Sequence, residues 1–109
     1  MADPRLKQIK IKSGVIKRLS KEKNMYEKEA EQEKRKLEKM KAEGKDEYDI
    51  RKQEEVLQES LMMIPDCQKR LNTAYTDLKN VLEAETDISE QEDYQEAKAV
   101  LQMAESSPN

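Results

Sequence analysis

Residues that could do chemistry are few in this chain, and most lack the partners that chemistry needs. His is absent, which removes the commonest general base and the commonest metal ligand together. Cys67 is the only cysteine, so it can form neither an intramolecular disulfide nor a thiolate zinc site. Its place on an apolar stripe reads as that of a small buried hydrophobe. Neighbouring carboxylates such as Glu54-Glu55 and Glu92-Asp93 recur, but with 24 Asp and Glu in 109 residues such pairs arise by chance. Neither Gly14 nor Gly44 has the neighbours of a phosphate-cradling loop or a nucleophile elbow. No catalytic residue, cofactor or metal is therefore expected, and the chain reads as a non-enzyme.

Binding is better supported. In Met62-Met63-Ile64-Pro65, successive helical residues cannot all face one seam, so at least one Met must point outward or sideways. Unbranched, polarizable Met side chains suit a partner surface that is not in its final shape, although gap-filling around a proline kink explains them as well. Met62, Met63 and Pro65 are candidate partner contacts. A second candidate is the basic run from Arg5 to Lys23, in which only Glu22 is acidic. Its Lys7, Lys10, Lys17, Arg18 and Lys21 could speed encounter with an acidic protein. From Glu83 onward the sign reverses, with Lys98 the only base, so mutual compensation inside the fold is the plainer reading. Nucleic acid is not an expected partner. Ile9, Ile11, Val15, Ile16 and Leu19 interrupt the basic run at helical spacing, and the net charge is −3.

The elements that must position these residues are helices. Basic and acidic residues nearly cancel, at 21 against 24, aromatic residues are 4%, and the chain has only two Gly. Such a composition fills a narrow interhelical seam but not a wide core or a deep cavity. Asp3-Pro4 is a helix-start pair. Ile9, Ile16, Lys23, Ala30 and Leu37, interleaved with Lys12, Leu19, Tyr26, Glu33 and Met40, form a seven-residue repeat, and Gly44 supplies a left-handed stop. A second repeat runs through Ile50, Leu57, Ile64, Leu71 and Leu78, with Gln53, Ser60, Cys67, Ala74 and Val81 three residues after each. Leu61, Tyr75 and Leu82 widen that stripe enough to meet two neighbours at once. The repeat keeps its phase through Pro65, which predicts a kink and not a break. Ser89 and Glu92 have the spacing of a capping box for a third helix, whose apolar face is Tyr94, Ala97, Val100, Leu101 and Ala104. Tyr26, Tyr48, Tyr75 and Tyr94 fall on or beside the stripes and are expected in the seams.

These elements give one all-α domain over residues 1–109, an elongated antiparallel three-helix bundle with coiled-coil-like packing. Its helices are expected at about 4–43, 47–83 and 89–105, with a frayed tail over 106–109. The basic start of helix 1 should then lie beside the acidic start of helix 3. The lone thiol and the lack of a signal peptide or a membrane-spanning run point to the cytoplasm, with no membrane partner. The residues alone leave open whether such a bundle is a monomer that binds other proteins or a coiled-coil adaptor that dimerises through its heptads.

Beyond that point the residues carry a resemblance. MADPR with QIKIK, then KRL, KEK and MYEKEA, YDI, the block LQES with MMIPDCQ, and later AY, DL, DY and EAK resemble the tubulin-folding cofactor A family over nearly the whole chain. The resemblance implies a three-helix bundle that accepts β-tubulin intermediates after the cytosolic chaperonin releases them and helps hand them towards the α/β heterodimer. It also implies action without nucleotide or metal, in the cytoplasm and associated with the cytoskeleton. It assigns no individual contact residue.

Overall fold

The computed structural model describes residues 3–105; the expected frayed tail lies outside them. Helix α1 spans Pro4–Ala42, α2 spans Glu47–Ala84, a short 3-10 turn spans Thr86–Ile88, and α3 spans Glu92–Glu105. There is no strand among the described residues.

Each long helix starts and stops where its end groups find partners. At the start of α1 the Asp3 carboxylate accepts the Arg5 backbone N–H at 2.9 Å, satisfying one of the orphan donors of the first turn. At its end Gly44 adopts φ +67°, the Lys45 N–H donates to the Met40 carbonyl at 3.0 Å and the Gly44 N–H to the Lys41 carbonyl at 3.2 Å. That pair of bonds is a Schellman closure. Asp46 then caps α2 by accepting the Tyr48 N–H at 3.3 Å. Helix α2 runs unbroken through Pro65. Pro65 is on an exposed side of the helix, where the Leu61 carbonyl that loses its bond can turn to water.

The start of α3 differs from the capping-box expectation. Ser89 closes the 3-10 turn, its N–H donating to the Thr86 carbonyl at 3.2 Å, and the first bond of α3 runs from the Gln95 N–H to the Gln91 carbonyl at 3.0 Å. Thr86–Ile88 competes for the residues that the box would have used, because burying Ile88 holds the chain in the tighter turn. The Gln95 side chain reaches back to the Ser89 carbonyl instead.

Tertiary contacts divide the chain into two compact units, one formed by residues 1–21 and 68–109 and the other by Glu22–Cys67. Within the first unit, cross-links fix the helix directions. Arg5 pairs with Glu85 and Lys12 with Asp77, so α1 and α2 are antiparallel. Arg5 pairs with Asp87 just before α3 and Lys17 with Glu96 inside it, so α1 and α3 run the same way. The basic start of helix 1 thus lies against the acidic start of helix 3, as the charge pattern predicts. Ile9, Ile16 and Leu19 from α1, Leu71, Leu78 and Leu82 from α2, Ile88, and Tyr94, Ala97, Val100 and Leu101 from α3 are buried. Each large aliphatic side chain of this set contributes on the order of 1.5–3 kcal/mol by leaving water. Tyr94 is buried and its hydroxyl donates to the Leu82 carbonyl at 2.6 Å, satisfying one of the last carbonyls of α2.

The second unit is a two-helix hairpin whose seam is half polar. Lys23, Ala30 and Leu37 of α1 and Gln53, Ser60 and Cys67 of α2 are buried. Gln53 donates to the Glu33 carbonyl at 3.0 Å, and Lys23 lies 3.7 Å from Glu27. The Gln53 bond crosses the hairpin and so fixes its pairing register at some cost in stability, whereas the Lys23–Glu27 pair lies within α1. Tyr48 departs from its expected seam position: it is 61% exposed and stacks beneath Lys52, whose ammonium is 5.6 Å from the ring centre.

Candidate functional site

The seven-residue repeats can be lettered from Ile9 and Ile50 as position a. The a positions of α1 are then Ile9, Ile16, Lys23, Ala30 and Leu37, and all are buried. In the first unit α3 makes its cross-links to a limited set of letters. It meets Lys17 at b of α1, through Glu96 at 2.9 Å, and Tyr75 and Leu82 at e of α2, through Glu105 and Tyr94. Leu71, Leu78 and Leu82, at a and e of α2, are covered accordingly.

In the second unit the same letters are only partly covered: Ala30 and Leu37 are buried, Leu57 and Ile64 are half-buried, and Leu61 is exposed. Ala30 and Leu37 of α1 with Leu57, Leu61 and Ile64 of α2 floor an open groove of about 530 Å³, rimmed by Glu27, Glu31, Lys34, Glu38 and Lys41. Leu61 is 41% exposed. Lys41 sits 4.0 Å from Glu54 across the hairpin, and Glu31 pairs with Arg35 along α1.

The Met-rich segment is placed around this groove and not inside it. Met62 is 69% exposed at f, the outermost letter of the helix, while Met63 lies at g, where Val56 is exposed as well. Pro65 at b is exposed on the groove side of α2. The expectation that at least one Met leaves the seam is met, and the apolar residues of this stretch spread around most of the helix.

The basic candidates all belong to the first unit. Lys7, Lys10 and Lys21 are exposed. Lys17 is bound to Glu96, and the hydrogen bond from Lys17, reinforced by the charge of Lys10, holds the Glu96 carboxyl below the usual range. Arg18 is also engaged within the chain. Nearby, Arg5 donates to both oxygens of Asp87 at 2.9 Å and to Asp3, and these bonds lower both carboxyl pKa values. Arg5 and Lys17 of the basic run thus hold α3 and its preceding turn in place, and Lys12 pairs with Asp77 of α2. Cys67 is buried. Among the described residues no group of His, Cys, Asp and Glu could hold a metal ion, and no helix is long and apolar enough to cross a membrane.

The groove residues Leu57, Leu61 and Ile64 are not singled out by the spacing, which places them in a seam. A signal for their exposure exists in the lengths, since an α3 of 14 residues cannot cover an apolar stripe along an α2 of 38.

Comparison with known proteins places the same helices in a known group. The family model described as "Tubulin binding cofactor A" matches residues 4–101. A protein named tubulin-specific chaperone A from Rattus norvegicus is 65% identical over 101 residues, covering 93% of this chain and 94% of its own length. Among solved structures, human tubulin chaperone cofactor A superposes with a TM-score of 0.82 at 59% identity, covering 94% of this chain and 99% of that one. Tubulin folding cofactor A from Arabidopsis thaliana gives 0.86 at 42% identity, covering 94% and 97%. With the family model spanning nearly the whole chain and relatives this similar at both ends, the protein belongs to the tubulin binding cofactor A family.

Proposed function

We propose that this chain is a tubulin-folding chaperone that captures β-tubulin intermediates after chaperonin release and holds them, by binding alone, on the route to the α/β heterodimer. The observation that carries this reading is the family match over residues 4–101, together with relatives named as tubulin-specific chaperones over almost their full length. The chain acts as a cytoplasmic, cytoskeleton-associated monomer without nucleotide, metal or catalytic step. A holding role needs only surface that is apolar, adaptable and accessible, and the second unit offers it in Leu61, Met62 and Met63. Covering a client patch that would otherwise pair wrongly lowers the aggregating population by mass action. Met62, Met63 and Pro65 are the proposed apolar contacts; Lys7, Lys10, Lys17, Arg18 and Lys21 are the proposed steering charges.

The test is native-gel or size-exclusion capture of β-tubulin freshly released from chaperonin, with no nucleotide added. A discrete complex containing one chain of each supports the reading, and β-tubulin that aggregates unchanged in the presence of this chain refutes it. A coiled-coil adaptor remains the alternative from another class. It requires a stable dimer in sedimentation of the chain alone.

A further inference from the structure

The groove of the second unit has the floor of a helix-binding site without its helix. On α1 it uses a positions Ala30 and Leu37, and on α2 it uses a positions Leu57 and Ile64 with e position Leu61. These are the letters that α3 covers in the first unit, where Leu71, Leu78 and Leu82 are buried. Between Glu27 and Lys41 the groove follows α1 for about 20 Å at ~1.5 Å per residue, the length of a helix similar to α3, which has 14 residues.

The edge of α1 states what charge that helix carries. Its b positions read Lys10, Lys17, Asn24, Glu31 and Glu38. The basic pair lies where acidic α3 docks, Lys17 meeting Glu96, and the acidic pair lies on the rim of the bare groove. Glu27 lies 3.7 Å from Lys23 and Glu31 3.2 Å from Arg35, while Lys41 is drawn toward Glu54 beside the groove, so the acidic character of the rim is concentrated at the Glu31–Glu38 edge. Lys34 is the remaining base on the rim.

We propose that this groove seats one amphipathic helix of the client protein, with apolar residues at i, i+3 or i+4 and i+7 on the floor and Lys or Arg along the edge facing α1. This assignment rests on the reading of the chain as a client-binding chaperone and names the kind of segment it grips. The mode is helix-in-groove recognition, with apolar burial giving affinity and the Glu31–Glu38 edge giving orientation.

The test uses two labelled synthetic helices of 14 residues, the length of α3, with one Leu stripe and either Lys or Glu along the same edge, titrated into the full chain by fluorescence anisotropy at low salt. The Lys-edged helix is expected to bind about tenfold tighter than the Glu-edged one. In E31K/E38K the preference reverses, and Leu61→Ser weakens the Lys-edged helix about tenfold. All three positions are exposed, and unchanged thermal midpoints show that each variant is folded.

Equal binding of the two peptides, no binding of either, or indifference to Leu61→Ser overturns the assignment. Capture of β-tubulin by the wild-type chain is measured in parallel. If capture occurs and neither variant affects it, the groove is wrong and the chaperone reading stands. If the peptides behave as expected but no β-tubulin is captured, the client reading fails and the groove stands. A dimer in sedimentation that Leu61→Ser dissociates assigns the groove to a second copy and overturns the proposal.

Discussion

Leu61 and Leu82 occupy the same heptad letter of α2, yet Leu61 is 41% exposed and Leu82 is 5% exposed. Leu82 lies beneath α3, where its own carbonyl accepts the Tyr94 hydroxyl. One letter therefore does two jobs, core where α3 is present and open surface where it is not.

That difference has a direct energetic consequence. Leu82→Ser should destabilise the fold by about 2–4 kcal/mol, because it removes a packed side chain and buries a hydroxyl. Leu61→Ser should cost less than about 1 kcal/mol, as exposed substitutions do. Urea titrations of both variants measure the contrast, and equal losses would show that Leu61 is core.

The two glycines should respond in opposite directions. Gly14 lies on the exposed side of α1 and a Cβ there meets nothing within 4 Å. Gly14→Ala should therefore raise stability by about 0.5–1 kcal/mol. Gly44 also has space for a Cβ, but at φ +67°. Gly44→Ala should lower stability by about 1–2 kcal/mol from backbone strain alone. Thermal midpoints of the two variants give both signs.

Removing one hydroxyl tests how the 3-10 turn and α3 are tied to α2. Tyr94→Phe leaves the Leu82 carbonyl without its 2.6 Å donor and should cost about 1–2 kcal/mol. Chemical denaturation is the measurement, and a loss indistinguishable from zero would mean that water replaces the phenol.

Acid should loosen the first unit. Bonds from Arg5 hold Asp3 and Asp87 below the ordinary carboxylate range, and Lys17 does the same for Glu96. Groups whose folded pKa is depressed contribute stability that is fully present above their unfolded pKa, about 4. That stability is lost as pH falls through the lower folded values. Tyr75 behaves in the opposite sense: its bond to Glu105 pushes its pKa up to about 12. That contribution is complete below the unfolded value near 10 and disappears as pH rises towards 12. Denaturation midpoints against pH for the wild type and Arg5→Ala check the acid limb, which should flatten in the variant.

The helical framework was legible because its signals are local. Asp3, Gly44 and Asp46 act on backbone groups a few residues away, and the heptads of α1 and α2 depend only on periodicity. Ser89 misled because its capping spacing is local too, whereas burial of Ile88 is a tertiary effect that takes precedence. Periodicity also cannot reveal where a covering helix ends. It marks Leu57, Leu61 and Ile64 as apolar in the same way as Leu71, Leu78 and Leu82, and only the short reach of α3 separates the two groups. Lys23 and Gln53 show the converse: spacing put both at seam letters, where they are buried, although their polar side chains alone would have placed them in water.

The basic run shows a related limit. Its charge was visible at once, but which bases are used inside the fold depends on partners distant in sequence: Lys17 with Glu96, Lys12 with Asp77 and Arg5 with Asp87. Lys7, Lys10 and Lys21 are the exposed remainder.

The most direct measurement is methyl NMR of the Leu and Ile side chains during titration with chaperonin-released β-tubulin. Resonances of Leu57, Leu61 and Ile64 should shift or broaden on binding, while those of Leu71, Leu78 and Leu82 stay unchanged beneath α3. Shifts confined to the second group, with the first untouched, would contradict an open groove that holds the client.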